Sequence, residues 1–330
     1  MNTTRLLIHD GPDLPGIPAR DGLSCAEALA APEEQPDARI FLIDAAGSST
    51  AHAALWWRHT PLLDGRKTGA IGGFDAVDAD AAALLLNRAA LHLRNAGCTI
   101  ALGPMNGNTW RRHRFVIESN GRGPFLLEPR NPAAHPGWWR SAGFYELSHY
   151  TSSAMPLDEE PAVSPVVKTR MESSGVVIRP LDPGRYDDEL RAIHALSLRS
   201  FSNNFLYTTL EEASFLESYQ KVRDSVDPRL VRIAERDGIP CGFIFAIADL
   251  EAAACGEKPA LIVKTLAVDS SSRSAGLGAL LVDEAHRQGL EMGFTEAIHA
   301  LQHETNTSLK ITHRHKGEPF RRYALFARPL

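Results

Sequence analysis

The stretch Leu266-Ala-Val-Asp-Ser-Ser-Ser-Arg-Ser-Ala-Gly-Leu-Gly278 separates an apolar segment from an amphipathic one. Before it, residues 260–268 are rich in β-branched side chains and have the length of a strand. After it, apolar residues recur at helical spacing from Leu277, and Gly293 marks the end of that pattern. The sequence therefore predicts a strand, a turn of small residues and a helix.

This turn has the composition of an anion-binding loop. The first N–H groups of a helix have no partner within the helix, and the helix dipole is positive there, so the site favours phosphate. Gly276 and Gly278 allow close approach of the backbone, and Arg273 adds a positive charge. The spacing of a Walker loop or a Rossmann turn is absent. We predict a pyrophosphate-binding loop; an ordinary tight turn is the alternative.

The spacing Arg273-x-x-Gly276-x-Gly278, after Leu-x-Val at a strand end, resembles the (Gln/Arg)-x-x-Gly-x-(Gly/Ala) acetyl-CoA loop of the GNAT N-acetyltransferases. The resemblance implies acetyl-CoA as the cofactor and an α+β fold in α/β/α layers, with a mixed, mostly antiparallel sheet flanked by helices. It also implies that the loop holds the pyrophosphate while the preceding strand pairs with the pantetheine arm. The implied cofactor-binding residues are Leu266, Ala267, Val268, Arg273, Ser274, Ala275, Gly276, Leu277, Gly278, Ala279 and Asn306.

The N-terminal half has a similar order of predicted elements, β-β-β-α-β and a late helix ending in Gly143-Phe144. Its loop, Asp75-Ala-Val-Asp-Ala-Asp80, carries three carboxylates, which cap a helix well but repel a pyrophosphate. We therefore predict two tandem GNAT-like domains: a degenerate one at 1–155, a linker at 156–174 and a catalytic one at 175–330. An unrelated N-terminal α+β domain is the alternative.

Composition limits the possible partners and location. The 330 residues are 44% hydrophobic and 23% charged with a net charge of -5, which argues against nucleic acid as a partner. The sequence shows no signal-peptide core and no long uncharged apolar stretch, so a cytoplasmic protein without a membrane segment is expected. The four cysteines are scattered, and His313 and His315 would not share a helix face, so no metal is expected. The oligomeric state is unknown.

The resemblance leaves the proton donor and acceptor open. Many family members protonate the leaving thiolate with a Tyr in the helix after the fifth strand, where this sequence has Leu309-Lys-Ile-Thr-His-Arg314. Thr312 and Tyr323 are our candidates for the acid, and His303 is our candidate for the base because histidine titrates near neutrality. The alternatives are His313, Ser308 or water for the acid, and His299 or Glu304 for the base.

Two segments are candidates for binding the acceptor. In GNAT folds the connection corresponding to residues 201–209 lies over the acceptor site, which implies Asn203, Phe205 and Tyr207, with Asn204 beside them. The alternative is that Phe201 and Phe205 pack in the core. The loop 103–114 concentrates Gly, Asn and Arg, and either lines a pocket or is a structural turn.

The resulting prediction is transfer of an acetyl group from acetyl-CoA to a primary amine of a small molecule or peptide. Two-domain members of the family bind an acceptor in the groove between the halves, so both halves are expected to shape the pocket. The alternatives are a longer acyl donor, a non-catalytic acyl-CoA-binding regulator, and an α+β interaction module that binds no CoA.

Overall fold

The computed structural model describes residues 4–23, 30–158, 164–254, 256, 259–270 and 274–330. Residues 24–29, part of a predicted short helix, and Arg273 of the predicted cofactor loop lie outside this set. The strands are β1 (Arg5–Asp10), β2 (Ala38–Ile43), β3 (Ser49–Trp56), β4 (Thr68–Ala76), β5 (Ile100–Gly103), β6 (Phe115–Ser119), β7 (Tyr145–Pro156), β8 (Val176–Pro180), β9 (Val231–Arg236), β10 (Ile239–Ala248), β11 (Leu261–Val268), β12 (Glu296–His303) and β13 (Glu318–Pro329). The helices are α1 (Ala79–Asn95), α2 (His135–Ser141), α3 (Pro165–Ser173), α4 (Tyr186–Phe201), α5 (Glu212–Gln220), α6 (Leu250–Ala254), α7 (Leu277–Glu291) and α8 (Leu309–Arg314).

Local sequence signals account for most of these elements. The Asp237-Gly238 pair has φ of 53° and 74° and joins β9 to β10, as expected of a two-residue hairpin turn. Asp78 caps α1 by accepting a hydrogen bond from the Ala81 N–H at 2.8 Å. Gly276 and Gly293, both with positive φ, flank α7 as its sequence pattern predicts.

The start of α8 differs from the prediction. The sequence of residues 304–315 predicts a short helix capped by Thr305 or Asn306, but the first helical residue is Leu309 and Ser308 occupies the N-cap. The Asn306 side chain instead accepts a hydrogen bond from the Ser308 N–H at 3.0 Å, which turns the chain before the helix begins. Asn side chains favour such local turns over a helix, so the predicted cap was wrong by two or three residues.

All the strands form one sheet, which is nearly symmetric about its middle. Its order is β1-β2-β3-β4-β5-β13-β7-β12-β11-β10-β9-β8, with β6 beside β13. Each half contains an antiparallel hairpin, a strand, a helix and a second strand parallel to the first: β4, α1 and β5 in one half, β11, α7 and β12 in the other. The fold is therefore two tandem GNAT-like units with a mostly antiparallel sheet flanked by helices, as predicted.

The two units exchange their last strands. The C-terminal strand β13 pairs with β5 of the first unit, whereas β7 pairs with β12 of the second. The strands β7 and β13 also pair with each other over most of their length. We call this central pair the seam. The domain boundaries at 155 and 175 stay a prediction, but strand pairing across the seam makes the sheet continuous.

Part of the predicted linker is helical. Ser164 accepts a hydrogen bond from Val167 N, Pro165 occupies the first turn, and residues 165–173 form α3. This helix packs against α7, and Met171 is buried in the same apolar cluster as Leu277 and Leu281. Within the residues that the structure describes, none of the helices combines the length and the apolar character needed to cross a membrane.

Candidate active site

A cleft opens where two parallel strands separate. The strands β11 and β12 pair only from Leu261–Ala297 to Val263–His299 and then diverge. A cavity of about 160 Å³ lies between the diverging ends and α8. It is lined by Phe201, Val263, Lys264, Thr265, Leu266, Val282, His299, Ala300, Leu301, Gln302, Asn306, Ser308 and Ile311. Two predicted cofactor-binding residues, Leu266 and Asn306, are among them.

Irregularities in both strands accompany this divergence. Opposite β10, Thr265 pairs with Phe245 and Val263 with Ala246, so Lys264 is the extra residue of a β-bulge. On β12 the pairing with β7 shifts between His299 and Gln302, and Leu301 has φ of 56°. Among the described residues, the main chain of β11 beyond Val263 consequently has no strand partner on the β12 side.

The predicted cofactor loop lies at one end of this cleft, at the N-terminus of α7. Gly276 has φ of 88°, and a Cβ there would lie 3.0 Å from Val167 Cγ1 and 3.2 Å from Arg170 Nη2. Only glycine fits this conformation without strain. At Gly278 a Cβ would meet Leu266 Cδ2 at 3.5 Å, an ordinary contact.

The remaining loop residues differ in exposure. Ser274 and Leu277 are buried, Ala275 is exposed, and Ala279 is half-buried. Arg170 of α3 donates to the Ala275 carbonyl and so adds a cation beside the loop. The sequence did not indicate Arg170 as a binding residue, because it lies in the predicted linker. A helix N-terminus with glycine at its first turns and a nearby arginine fits a pyrophosphate group.

Thr312, a candidate acid, is buried in a hydrogen-bonded chain. Its hydroxyl donates to Gln302 Oε1 at 2.8 Å and lies 2.8 Å from His299 Nδ1. Because the Thr312 hydrogen is donated to Gln302, the hydrogen bond between His299 Nδ1 and Thr312 Oγ1 must use a proton on Nδ1. The Nε2 atoms of His299 and His286 lie 3.0 Å apart. Burial lowers the pKa of His299 to about 3 and that of His286 to about 2, so both rings are neutral.

His315 lies beside these two rings, with its centroid 4.5 Å from that of His286, and its Nε2 contacts Asp283 at 3.0 Å. Across the described ranges, no group of three or more His, Cys, Asp or Glu side chains is arranged to hold a metal ion. The three rings pack against one another, and His299 extends this cluster to the wall of the cleft.

His303, the candidate base, lies against a predicted acceptor residue. Its ring stacks on Phe205 with a centroid distance of 5.2 Å, and its Nδ1 lies 2.8 Å from Thr305 Oγ1. Its Nε2 is buried without a hydrogen-bond partner among the described residues. Burial lowers the pKa of His303, and the Arg114 guanidinium lowers it further, against the effect of Glu304.

Tyr323, the other candidate acid, lies in the seam and not in the cavity wall. Its side chain is fully buried, and its hydroxyl donates to Glu128 and lies 3.0 Å from Ser152 Oγ. Burial and the Glu128 carboxylate raise the pKa of Tyr323. Arg321 Nη1 also donates a hydrogen bond to Glu128 Oε2 at 2.9 Å.

The other predicted acceptor residues are not brought to the cleft. Asn203 is exposed, and the Tyr207 hydroxyl donates to the Leu198 carbonyl at 3.3 Å. The loop 103–114 contacts this connection: Trp110 donates to the Thr208 carbonyl at 2.8 Å, and its ring packs near Phe201 and other aromatic rings of the second unit. Phe201 also lines the cavity, so core packing and cleft formation are both part of its role.

Sequence reasoning missed two cations near the cleft. Arg114 lies with its guanidinium carbon 3.9 Å from the centre of the Tyr150 ring and donates to the Leu301 carbonyl at 3.2 Å. Lys264 lines the cavity itself. Burial lowers the pKa of Arg114 to about 10, and burial followed by Arg114 lowers that of Lys264 to about 8. A single lysine inside the apolar run 260–268 was the available signal.

Comparison with known proteins agrees with this geometry. Residues 190–314 match the model of the Acetyltransferase (GNAT) family. The GCN5-related N-acetyltransferase from Sphaerobacter thermophilus has a TM-score of 0.53 and 13% identity, covering 88% of this chain and 80% of that one. A tandem GNAT protein from the clavulanic acid biosynthesis pathway has a TM-score of 0.52 and 13% identity, covering 94% and 90%.

Two curated proteins are also similar. The bacterial ceramide synthase of Caulobacter vibrioides (strain NA1000 / CB15N) is 28% identical over 199 residues, 57% of this chain and 51% of that protein. Protein YghO of Escherichia coli (strain K12) is 24% identical over 298 residues, 81% of this chain and 75% of that protein. The chain thus spans about half of the length of the Caulobacter protein. It carries a GNAT-family domain at residues 190–314, and the GNAT fold extends over most of its length.

Proposed function

We propose that this protein is an acyl-CoA-dependent N-acyltransferase that moves an acyl group from the thioester to a primary amine. The observation that carries the proposal is the divergence of β11 from β12 directly beside the glycine-containing N-terminus of α7. That arrangement offers a loop for an anionic head and an open strand edge for an extended amide-containing arm.

Each part of the chain has a separate task in this reaction. The N–H groups of residues 274–279 and Arg170 would hold the pyrophosphate, and Arg273 belongs to the same predicted set. Leu266 and Val268 pair with β10 but have no β12 partner among the described residues, and their main-chain groups on that side would align the arm of the cofactor. Acyl-CoA supplies an activated thioester, so the protein need only hold it, bring the amine to it and move protons.

The proposed acceptor side lies toward His303 and Phe205. These two rings stack beside the seam, where the loop 103–114 and the connection 201–209 meet. A groove there would draw residues from both units, which is how we propose that the acceptor amine reaches the cleft. The acceptor remains, in our proposal, a small molecule or peptide.

The donor has two candidates. An acetyl group is the expectation from the sequence pattern. The name of the Caulobacter relative, a ceramide synthase, favours a longer acyl group. A second, apolar cavity under α4 and α5 has a volume of about 20 Å³, room for about one water molecule, so a longer chain would have to widen it. The lining residues are Leu181, Tyr186, Leu190, Ile193, Tyr219, Val226, Val231, Phe243 and Phe245.

The test is release of free CoA thiol from a series of acyl-CoAs, from acetyl to long-chain, in the presence of a panel of primary amines. We expect amine-dependent release and a new amide detected by mass spectrometry. The chain length with the highest kcat/KM decides between the two donors. Saturable binding of acyl-CoA without release for any amine would favour the non-catalytic regulator.

A further inference from the structure

Lys264 occupies an unusual position for a lysine. It is the bulged residue of β11, at the level where β11 leaves β12, and its side chain lines the cavity with Leu301, Gln302 and Asn306. None of the hydrogen bonds or ion pairs found in the described part of the chain involves its side chain. The side chain is half-buried, and an amine partly withdrawn from water without a partner is costly unless a bound group or loss of the proton compensates for it.

The charges around Lys264 come from several elements. Arg114, from the loop after β5, acts on it most strongly, and Glu128 acts in the opposite direction. Glu128 is already paired with Arg321 and Tyr323. His113 and Lys264 interact electrostatically, burial lowers the pKa of His113 well below its usual value, and its Nδ1 lies 2.9 Å from the Arg111 carbonyl oxygen.

Two histidines of β12 complete these surroundings. His299 lines the same cavity but is neutral, and both of its nitrogens have partners. His303 lies farther along β12, at the Phe205 side. Within the part of the chain that the structure describes, two titratable groups line the cavity, Lys264 and His299. Of these two, Lys264 is the one whose nitrogen, once deprotonated, has a lone pair that no neighbouring group uses.

We propose that Lys264 is the catalytic residue that carries the proton between the acceptor amine and the leaving sulfur, an assignment that rests on the proposed function. Neutral Lys264 Nζ takes one proton from the acceptor ammonium. The amine then forms the C–N bond, the C–S bond breaks, and Lys264 returns that proton to the thiolate. The second proton of the amine nitrogen leaves to water, so charge and atoms balance.

A half-buried lysine in the cavity wall suits this task better than the candidates from the sequence. Burial and Arg114 lower its pKa to about 8, close to working pH, so that both of its protonation states are populated. The hydroxyl protons of Thr312 and Tyr323 are donated to Gln302 and Glu128. One residue thus serves as base and acid where the sequence lacks the expected tyrosine.

The experiment compares Lys264→Gln and Lys264→Arg with the wild type. Lys221→Gln, at an exposed lysine at the C-cap of α5, is the matched control. We expect roughly 100-fold lower kcat for Lys264→Gln with unchanged acyl-CoA affinity, because general acid–base catalysis typically contributes about 10²–10⁴-fold. Lys264→Arg keeps the charge but cannot act as a base, so it is expected to be equally slow. Lys221→Gln should match the wild type.

The pH profile separates proton transfer from a structural role. Wild-type kcat/KM should rise with pH up to about 8 and then level, following deprotonation of Lys264. In Lys264→Gln this limb should be replaced by one that follows the free amine of the acceptor. Lys264→Met, which removes a half-buried amine that has no hydrogen-bond partner among the described residues, should melt no lower than the wild type and so guards against a folding defect.

The outcomes separate this assignment from the proposed function. If the wild type releases CoA and Lys264→Gln or Lys264→Arg stays within threefold of it, the assignment of Lys264 is overturned while the function stands. If the wild type binds acyl-CoA but acylates no amine, the proposed function fails and the assignment fails with it. Loss of kcat in both variants with a changed pH limb supports the assignment.

Discussion

The Tyr323 hydroxyl donates to Glu128, and Arg321 donates to the other oxygen of that carboxylate at 2.9 Å. All three side chains are buried, Tyr323 and Arg321 on β13 and Glu128 beside it. Burial raises the pKa of the Glu128 carboxyl, whereas its hydrogen bond from Tyr323 and the charge of Arg321 act against this rise. The network therefore ties β13 to the segment that carries Glu128, and the contact of Tyr323 with Ser152 ties β13 to β7. Its role is structural, because the cavity lining among the described residues includes none of the three side chains.

This role leads to a prediction for Tyr323→Phe. We expect a loss of about 2 kcal/mol in the free energy of unfolding, because a buried hydrogen bond to a charged group is removed. We expect kcat to remain within threefold of the wild type, because Tyr323 does not line the cavity. Urea unfolding and steady-state kinetics measure the two effects. Tyr145→Phe, on an exposed side chain of β7, is the control.

A 100-fold fall in kcat for Tyr323→Phe, with stability unchanged, would contradict this structural role and restore Tyr323 as the general acid.

The same reasoning applies to Thr312, whose hydroxyl bridges His299 and Gln302. In Thr312→Val both partners lose a hydrogen bond inside the protein, so stability should fall by about 1–3 kcal/mol. Thermal and urea unfolding measure it. An unchanged free energy of unfolding would show that the bridge is not needed.

The elements α7, β12 and α8 meet at two neutral histidines, His286 and His299, and at Thr312. Burial lowers the pKa of His299 to about 3 and of His286 to about 2. In the unfolded chain these rings take up a proton below a pH of about 6.5. The unfolded state then binds more protons than the folded state, so stability falls as pH falls from about 6.5 toward 3.

We predict that each of these two histidines costs about 1.4 kcal/mol of unfolding free energy per pH unit below about 6.5. Urea unfolding at a series of pH values should show this slope. His299→Asn should remove its share of the slope, whereas the exposed His59→Asn serves as the matched control. A slope identical in His299→Asn and the wild type would contradict the assignment of a buried neutral ring.

Elements whose signals are local could be predicted from the sequence, and those that depend on distant pairing could not. The strand β11, the helix α7 and the hairpin at Asp237-Gly238 follow from apolar period, glycine position and turn chemistry. The helix α3 was missed because Ser164 and Pro165, a good start signal, lie in a stretch with linker composition. The bulge at Lys264 has no local signature, because it arises from pairing with β10.

The exchanged strands β7 and β13 make the two units depend on each other. Without β13, β5 loses one of its two neighbouring strands and keeps only β4. Without β7, β12 likewise keeps only β11. Unpaired central strands expose main-chain donors and acceptors as well as apolar side chains. Nothing in the local sequence distinguishes a strand that completes its own sheet from one that completes the sheet of its neighbour.

We therefore predict that neither half folds alone. Residues 1–160 and 164–330, expressed separately, should lack a cooperative thermal transition by circular dichroism. Expressed together, they should elute as one complex in size-exclusion chromatography, because each supplies the strand that the other lacks. The full chain is the control and should melt in one transition. A C-terminal half that melts cooperatively by itself would contradict the need for strand exchange.

We propose above all that the cleft between β11 and β12, with the N-terminus of α7, binds acyl-CoA. The most direct measurement is calorimetric titration of acetyl-CoA and a long-chain acyl-CoA into the wild type, Gly278→Ala and Gly278→Asp. A methyl group at Gly278 makes only ordinary contacts, the nearest at 3.5 Å, so Gly278→Ala should bind like the wild type. A carboxylate there should repel the pyrophosphate by roughly 1–3 kcal/mol, weakening binding about ten- to hundred-fold. Equal affinity in Gly278→Asp and Gly278→Ala, or no binding by the wild type, would contradict the claim.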